Sequence, residues 1–300
     1  MSHSSSTTAV LYALAANLGI TIAKAGAAFW TGSGSLLAEA IHSLADSGNQ
    51  ILLLIGMRRS KKQATPLHPM GFGREAYIWS MMVAITLFSV GGVFSVYEGW
   101  LRYMNPHEVE NAEVAFLILV IAVALESFSL NGALAALKEE KGERTLWQWF
   151  KETHSSELMV ITGEDVAALA GLLIAMVMLG LTMLTGNTAF DAAGSMLIGL
   201  LLICVAIIVG REVHSLILGE SAEGIHDSIK QYLENQPCVR QVLNLWAIHH
   251  GNSVMVMIKA ELTPDLVVID AVDKINAMER QIKEAHPSVK WIFFEIDNED

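Results

Sequence analysis

Residues 190–211, FDAAGSMLIGLLLICVAIIVGR, form an apolar run whose only charges lie near its two ends. A helix that crosses the hydrocarbon core of a bilayer needs about 20 mostly apolar residues. Five further stretches have this length and character or come close to it: 8–30, 35–57, 76–101, 113–137 and 158–184. The sequence therefore predicts six membrane-spanning helices.

The composition of the whole chain favours the same interpretation. Hydrophobic residues make up 53% of the chain and charged residues 17%, whereas charged residues average about 25% of a soluble domain. The formal net charge of −12 disfavours nucleic acid as a partner. The two cysteines, Cys204 and Cys238, lie far apart outside any CxxC motif, which excludes a disulfide scaffold and a thiolate zinc finger.

The character of the sequence changes after Arg211. Residues 212–300 contain 15 acidic and 7 basic residues, and they are expected to form a soluble domain. Periodicity predicts helices over 223–236 and 267–285 and strands over 241–249, 253–262 and 289–296. We therefore predict an all-α, six-helix transmembrane domain over 1–211 and a small cytoplasmic α+β domain, in the order α-β-β-α-β, over 212–300.

The basic residues of the loops predict the orientation in the membrane. The loops after the second and fourth spans carry most of them: Arg58, Arg59, Lys61, Lys62, Arg74, Lys138, Lys141, Arg144 and Lys151. The loops on the opposite side carry only Arg102. Because Lys and Arg accumulate in cytoplasmic loops, we expect a multi-pass membrane protein with both termini in the cytoplasm. We expect the membrane to be the bacterial inner membrane. The first stretch is not expected to be a cleavable signal peptide, because no basic region precedes it.

The second predicted span contains ionisable residues, which are costly in a bilayer and mark function by default. His42 and Asp46 are four residues apart and therefore lie on one face of the helix. Imidazole and carboxylate together suit Zn²⁺ or a neighbouring divalent ion. The alternative is a polar pair that closes a helix–helix contact. Glu39, one turn earlier, is either a carboxylate at the mouth of an ion path or an interface residue that faces water.

The fifth predicted span contains two adjacent carboxylates, Glu164 and Asp165. Adjacent helical residues point about 100° apart, so we expect one to be a ligand and the other a hydrogen-bond or proton partner. The alternative is a hydrated carboxylate pair at the cytoplasmic mouth. The fourth span offers Glu126 and Asn131 as further polar groups, and an asparagine there is more often a helix–helix hydrogen bond than a ligand.

These ligand types narrow the choice of metal. Thiolates are missing from the group, which disfavours Cu(I). Calcium prefers six to eight oxygen ligands. Zinc, cobalt, iron and manganese remain, and zinc prefers tetrahedral sites with such ligands.

Together these features resemble the cation diffusion facilitator family over nearly the whole chain. The stretches TGSGSLLAEAIHSLADSGNQ (31–50) and HPMGFGREAY (68–77) are similar to two recognisable elements of that family. The stretch GEDVAALAG (163–171) looks like the branch that includes an animal mitochondrial zinc exporter.

The resemblance implies a homodimer that exchanges a divalent metal for protons by alternating access. It also implies a transport site that combines the pair on the second span with a pair four residues apart on the fifth. The second of these positions matches Asp165, but the first falls at Ile161, which cannot bind metal. His42, Asp46 and Asp165 are then the matched ligands, with Glu164, water or another polar group completing the shell.

The resemblance further implies a charge pair that locks the dimer near the cytoplasmic surface. Arg74 and Glu220 match its two positions. The alternative is two solvated surface charges.

We therefore expect a secondary transporter that exports Zn²⁺ from the cytoplasm in exchange for protons, with Zn²⁺ as substrate and without another cofactor. An exporter of manganese, iron or cobalt is the first alternative. A non-transporting partner or metal sensor is the second, and Ile161 favours it. An enzyme is not expected, because HExxH is absent and no nucleophile stands beside a general base.

Overall fold

The computed structural model describes residues 34–106, 112–143, 145–153 and 155–299, together with residues 11, 14–15, 17–23, 25–26 and 29. The side chains of 34–42 and of 45, 136, 139, 140, 151 and 152 lie outside this description. The predicted span 8–30 is therefore covered only in part, and its described residues are helical.

The membrane part of the chain consists of helices. They are α1 (Gly34–Ser60), α2 (Glu75–Thr86), α3 (Phe94–Met104), α4 (Ala112–Lys141), α5 (Leu146–Glu152), α6 (Ser156–Thr185) and α7 (Ala189–Leu218). A π-helical segment, Leu87–Val93, joins α2 to α3 without a break. Among the described residues, four helical segments are long and apolar enough to cross a membrane: Glu75–Met104, Ala112–Ala135, Ser156–Thr185 and Ala189–Leu218. The predicted class of fold, a helical membrane domain followed by a small α+β domain, is confirmed.

Glycines bring the segment Glu75–Met104 close to α7. A Cβ atom placed on Gly199 would lie 2.7 Å from the carbonyl oxygen of Gly92, and one on Gly99 would lie 2.8 Å from the amide nitrogen of Met196. Helices in a bilayer associate through such close packing of small residues, because lipid provides no hydrophobic driving force between them.

Charges join the same two helical segments at one end. Arg102, near the end of α3, contacts Glu98 at 2.7 Å and Asp191 of α7 at 3.1 Å. The three side chains are each less than a third exposed. The contact with Asp191 therefore connects α3 to α7 by a partly buried ion pair.

The C-terminal part of the chain has the predicted α-β-β-α-β order. Its elements are α8 (Glu223–Glu234), β1 (Val239–His250), β2 (Ser253–Leu262), α9 (Val268–Ala285) and β3 (Val289–Ile296). The strands form one sheet in the order β1-β2-β3. The pair β1–β2 is antiparallel and the pair β2–β3 is parallel, with α9 as the crossover.

The two faces of this sheet differ. One face packs against α8 and α9 in a core that contains Ile229, Leu233, Met278 and Ile282 of the helices. The opposite face carries Trp246, Met257 and Phe293 in cross-strand register. Trp246 and Phe293 are each about half exposed, so these three side chains form an apolar patch that the described residues do not fully cover.

The residues group into two compact units: Met1–Arg59 with Glu75–His214, and Ser60–Arg74 with Ser215–Asp300. Within the second unit, a Cβ atom on Gly73 would lie 2.6 Å from the carbonyl oxygen of His250. The loop 60–74 thus packs backbone to backbone against the β1–β2 turn. The domain division between 211 and 212, which lies inside α7, stays a prediction.

Candidate metal centre

Four carboxylates from three membrane helices lie near one another. They are Asp46 of α1, Glu126 of α4, and Glu164 and Asp165 of α6. Glu126, Glu164 and Asp165 are buried and Asp46 is half-buried. Asp46 and Glu126 interact electrostatically with both carboxylates of α6. The folding of the chain therefore brings together residues that are up to 119 positions apart, 46 to 165, in the sequence.

Glu164 is held from α1. The Asn49 side chain donates a hydrogen bond to Oε1 at 3.1 Å, and the Gln50 side chain donates one to Oε2 at 3.1 Å. All three side chains are buried. Both oxygens of this carboxylate therefore accept amide hydrogens from the helix that carries Asp46.

Asp165 is held from a different helix. Ser129 of α4 donates a hydrogen bond from Oγ to Asp165 Oδ2 at 3.2 Å, and both residues are buried. The adjacent carboxylates thus contact different neighbours, α1 for Glu164 and α4 for Asp165. This agrees with the angle of about 100° between successive helical residues.

A cavity lies beside this cluster. It has a volume of about 60 Å³ and is bordered by Ser43, Asp46 and Glu126 on its polar side. Apolar and small residues complete its wall: Ile20, Leu119, Ala122, Ala167, Ala168, Gly171, Leu172, Ala175, Ile198 and Leu202. Since one water needs only about 10–15 Å³ of such space, the cavity has room for an ion that keeps part of its water shell.

Two of the predicted site residues fall outside the described side chains. His42 and Glu39 lie on α1, and His42 precedes Asp46 by one turn, but their side chains are not among those described. Among the described side chains, no group of three or more His, Cys, Asp or Glu residues is arranged to hold a metal ion. The proposed ligand set therefore stays a prediction. Asn131 lies on α4 and is exposed.

Sequence reasoning missed Asn49, Gln50 and Ser129. A signal for the two amides was available, because they follow Asp46 by three and four residues and so lie on the same helical face. Two adjacent amides in an apolar run need polar partners when they are buried. Ser129 gave no comparable signal, since a serine in a membrane helix can bond to its own backbone.

The predicted charge lock lies in the second unit. The guanidinium Nη2 of Arg74 lies 3.4 Å from the position of a Cβ on Gly219, the residue before Glu220. The carbonyl oxygen of Glu220 accepts a hydrogen bond from the His249 amide at 3.0 Å. Arg74 and the backbone around Glu220 are therefore neighbours within this unit, and their role in a dimer stays a prediction.

Comparison with known proteins adds an independent observation. Residues 10–218 match the family described as the cation efflux transmembrane domain. The chain is 33% identical over 239 residues to the human proton-coupled zinc antiporter SLC30A9, mitochondrial, covering 79% of this chain and 42% of that protein.

Two further relatives come from a plant and a bacterium. Metal tolerance protein C4 of Arabidopsis thaliana is 30% identical over 215 residues, covering 70% of this chain and 47% of that protein. Zinc transporter ZitB of Yersinia pestis is 26% identical over 269 residues, covering 88% and 80%. The chain thus spans less than half the length of the human and plant relatives.

Proposed function

Because the chain belongs to the cation efflux family, we propose that it exports Zn²⁺ from the cytoplasm in exchange for protons. The observation that carries this proposal is the group of carboxylates on α1, α4 and α6, of which Glu126, Glu164 and Asp165 are buried, beside a cavity bordered by Asp46 and Glu126. Ionisable side chains inside a membrane domain mark ion or proton pathways, because their burial is costly without a function.

The proposed ligands are His42 and Asp46 of α1 and Asp165 of α6. Their chemistry, one imidazole and two carboxylates, suits a tetrahedral Zn²⁺ with water in the fourth position. Glu126 borders the same cavity as Asp46 and is proposed as a proton acceptor next to the ion.

Exchange follows from the competition of metal and protons for these groups. Imidazole and carboxylate must lose their protons before they bind a metal, so binding of Zn²⁺ releases protons and protonation releases Zn²⁺. Rocking of helices about a fixed site then exposes the ligands to each side of the membrane in turn. The basic loops support an orientation with both termini in the cytoplasm, and the membrane we propose is the bacterial inner membrane.

We also propose that the protein works as a homodimer. The partly exposed apolar patch on the C-terminal sheet, formed by Trp246, Met257 and Phe293, supports this proposal, because exposed apolar patches commonly mark protein contacts. In such a dimer Arg74 and Glu220 would form the charge lock near the membrane surface.

The test is zinc flux into proteoliposomes with the purified protein. We expect Asp46→Ala and Asp165→Ala to abolish flux, because each removes a proposed ligand. Glu113→Gln is the matched control, since Glu113 is an exposed acid in the first turn of α4. Normal flux in either alanine variant would contradict the ligand assignment.

One observation favours a second candidate, a non-transporting partner or metal sensor of the same fold. Ile161 is fully buried at the position where the family resemblance expects a ligand. The two candidates differ in one measurement, because a partner or sensor subunit gives no flux of zinc, manganese, cobalt or iron.

A further inference from the structure

Two adjacent amides of α1 hold both oxygens of one buried carboxylate on α6. The hydrogen bonds run from Asn49 Nδ2 to Glu164 Oε1 and from Gln50 Nε2 to Glu164 Oε2, each at 3.1 Å. Asn49 is 2% exposed, Gln50 is 0% exposed and Glu164 is 6% exposed. We call this arrangement the Asn49–Glu164–Gln50 clamp.

The clamp connects the two helices that carry the proposed ligands. Asn49 and Gln50 lie one turn after Asp46 on α1, and Glu164 immediately precedes Asp165 on α6. Because a helix is stiff over one turn, hydrogen bonds at these positions fix the height and rotation of Asp46 relative to Asp165. Metal binding is sensitive to such placement, since ligands must meet at one ion.

Both amide groups of the clamp are oriented with their hydrogens toward Glu164. Asn49 Oδ1 and Gln50 Oε1 are buried and have no hydrogen-bond partner among the described residues. A buried amide oxygen without a partner is unfavourable, whereas a hydrogen bond to a carboxylate is stronger than one between neutral groups. Both amides thus direct their hydrogens to Glu164 and leave their oxygens unpartnered.

We propose that Asn49, Gln50 and Glu164 position the Zn²⁺ ligands Asp46 and Asp165, and that Glu164 is itself a positioning residue and not a metal ligand. This inference rests on the proposed function, since it assigns a role within the same site. In this assignment Glu164 does not complete the metal shell. It instead holds α6 in place against α1.

Glu164→Gln distinguishes these roles. A neutral glutamine is a poor ligand for Zn²⁺ and carries no proton to exchange, so a ligand or proton role predicts loss of transport. The clamp survives the change, because one α1 amide turns over and its formerly unpartnered oxygen accepts from the new side chain. We expect zinc flux and apparent KM within about threefold of wild type and the same pH profile, because both clamp bonds persist as neutral hydrogen bonds.

A reciprocal exchange supplies the second variant. Gln50→Glu places two carboxylates in contact and is expected to lower flux at least about tenfold, because like charges replace a hydrogen bond. The double variant Gln50→Glu with Glu164→Gln restores a donor and acceptor at each position without changing composition, and we expect it to recover most of the flux. Glu164→Ala removes the clamp and is expected to behave like Gln50→Glu.

Ser156→Ala is the matched control. It removes a buried hydrogen bond between Ser80 and Ser156, 3.0 Å long, which also joins α6 to another helix but contacts no proposed ligand. Its flux is expected to stay near wild type, which separates the clamp from general loss of helix contacts.

The outcomes are separable. If the wild-type protein transports zinc, the proposed function stands. Loss of flux in Glu164→Gln, or failure of the double variant to recover flux, then overturns the positioning role alone. Absence of flux in wild type contradicts the proposed function. In that case the clamp is tested by thermal unfolding in detergent, where the double variant must recover the midpoint that Gln50→Glu loses, and no recovery overturns it.

Discussion

Ser129 of α4 donates a hydrogen bond at 3.2 Å to the carboxylate of Asp165 on α6, and both side chains are buried. This bond orients the carboxylate that the family resemblance assigns to the metal. The donor, Ser129, lies on α4, which supplies none of the proposed ligands. Helix α4 thus supports a site whose ligands come from α1 and α6.

Replacing Ser129 with alanine tests this support. Loss of one hydrogen bond of about 1 kcal/mol should raise the apparent KM for zinc about fivefold, because Asp165 loses its orientation. Ser127→Ala is the control, since the hydroxyl of Ser127 donates to the backbone oxygen of Val123 in its own helix and to no other described residue. An equal rise in KM in both variants would show that Ser129 has no specific role.

Replacing Ile161 with histidine should increase the selectivity of transport for zinc over manganese. Ile161 lies four residues before Asp165 on the same helical face, and an imidazole there adds a nitrogen ligand that zinc prefers over manganese. We expect a higher ratio of zinc to manganese uptake in a competition assay. Ile161→Met is the apolar control, and an unchanged ratio in the histidine variant would place Ile161 outside the ion path.

Adding a methyl group at Gly199 should lower the thermal stability of the protein, because Gly199 lies where α7 packs against the segment Glu75–Met104. A Cβ there would lie 2.7 Å from backbone atoms of Gly92 and Val96, so Gly199→Ala forces the helices apart. Overpacking of this kind costs about 1–3 kcal/mol. Gly180→Ala is the control because no described residue beyond the neighbouring backbone of its own helix lies within 4 Å of its Cβ position. Equal thermal midpoints of the two variants in detergent would contradict the packing described for Gly199.

The β1–β2 turn should loosen on acidification. Burial, with the nearby charges of Arg74 and Lys290, lowers the pKa of His250 from its ordinary value of 6.5. The unfolded segment therefore binds a proton more readily than the folded one, so stability is lost as pH falls below about 6.5. Hydrogen exchange of residues 250–253, corrected for its intrinsic pH dependence, should rise over this range in wild type and much less in His250→Gln. The same rise in both would exclude His250 as the cause.

Periodicity predicted the C-terminal elements closely. The strand 253–262 was predicted with the bounds that the structure has, and the helix 267–285 begins one residue later, at Val268. Such elements are encoded locally, because alternation and 3.6-residue spacing depend on neighbouring residues only. The apolar helices from Glu75 onward were predictable for the same reason.

The contacts of the site were not predictable in this way. The partner of Glu164 lies 114 or 115 positions away in the sequence, at Gln50 and Asn49. Sequence periodicity places residues on a helical face but does not say which helix that face meets. The packing of the loop 60–74 with the β1–β2 turn escaped prediction because it depends on backbone approach at Gly73.

The most direct test of the central claim is whether a pH gradient drives zinc against its own gradient. Proteoliposomes are prepared with equal zinc inside and outside and an acidic lumen, and lumenal zinc is recorded over time. Coupled exchange predicts that zinc accumulates in the lumen as protons leave, and that Asp46→Ala abolishes the accumulation. No net movement of zinc in the wild-type protein, despite a maintained pH gradient, would contradict proton-coupled transport.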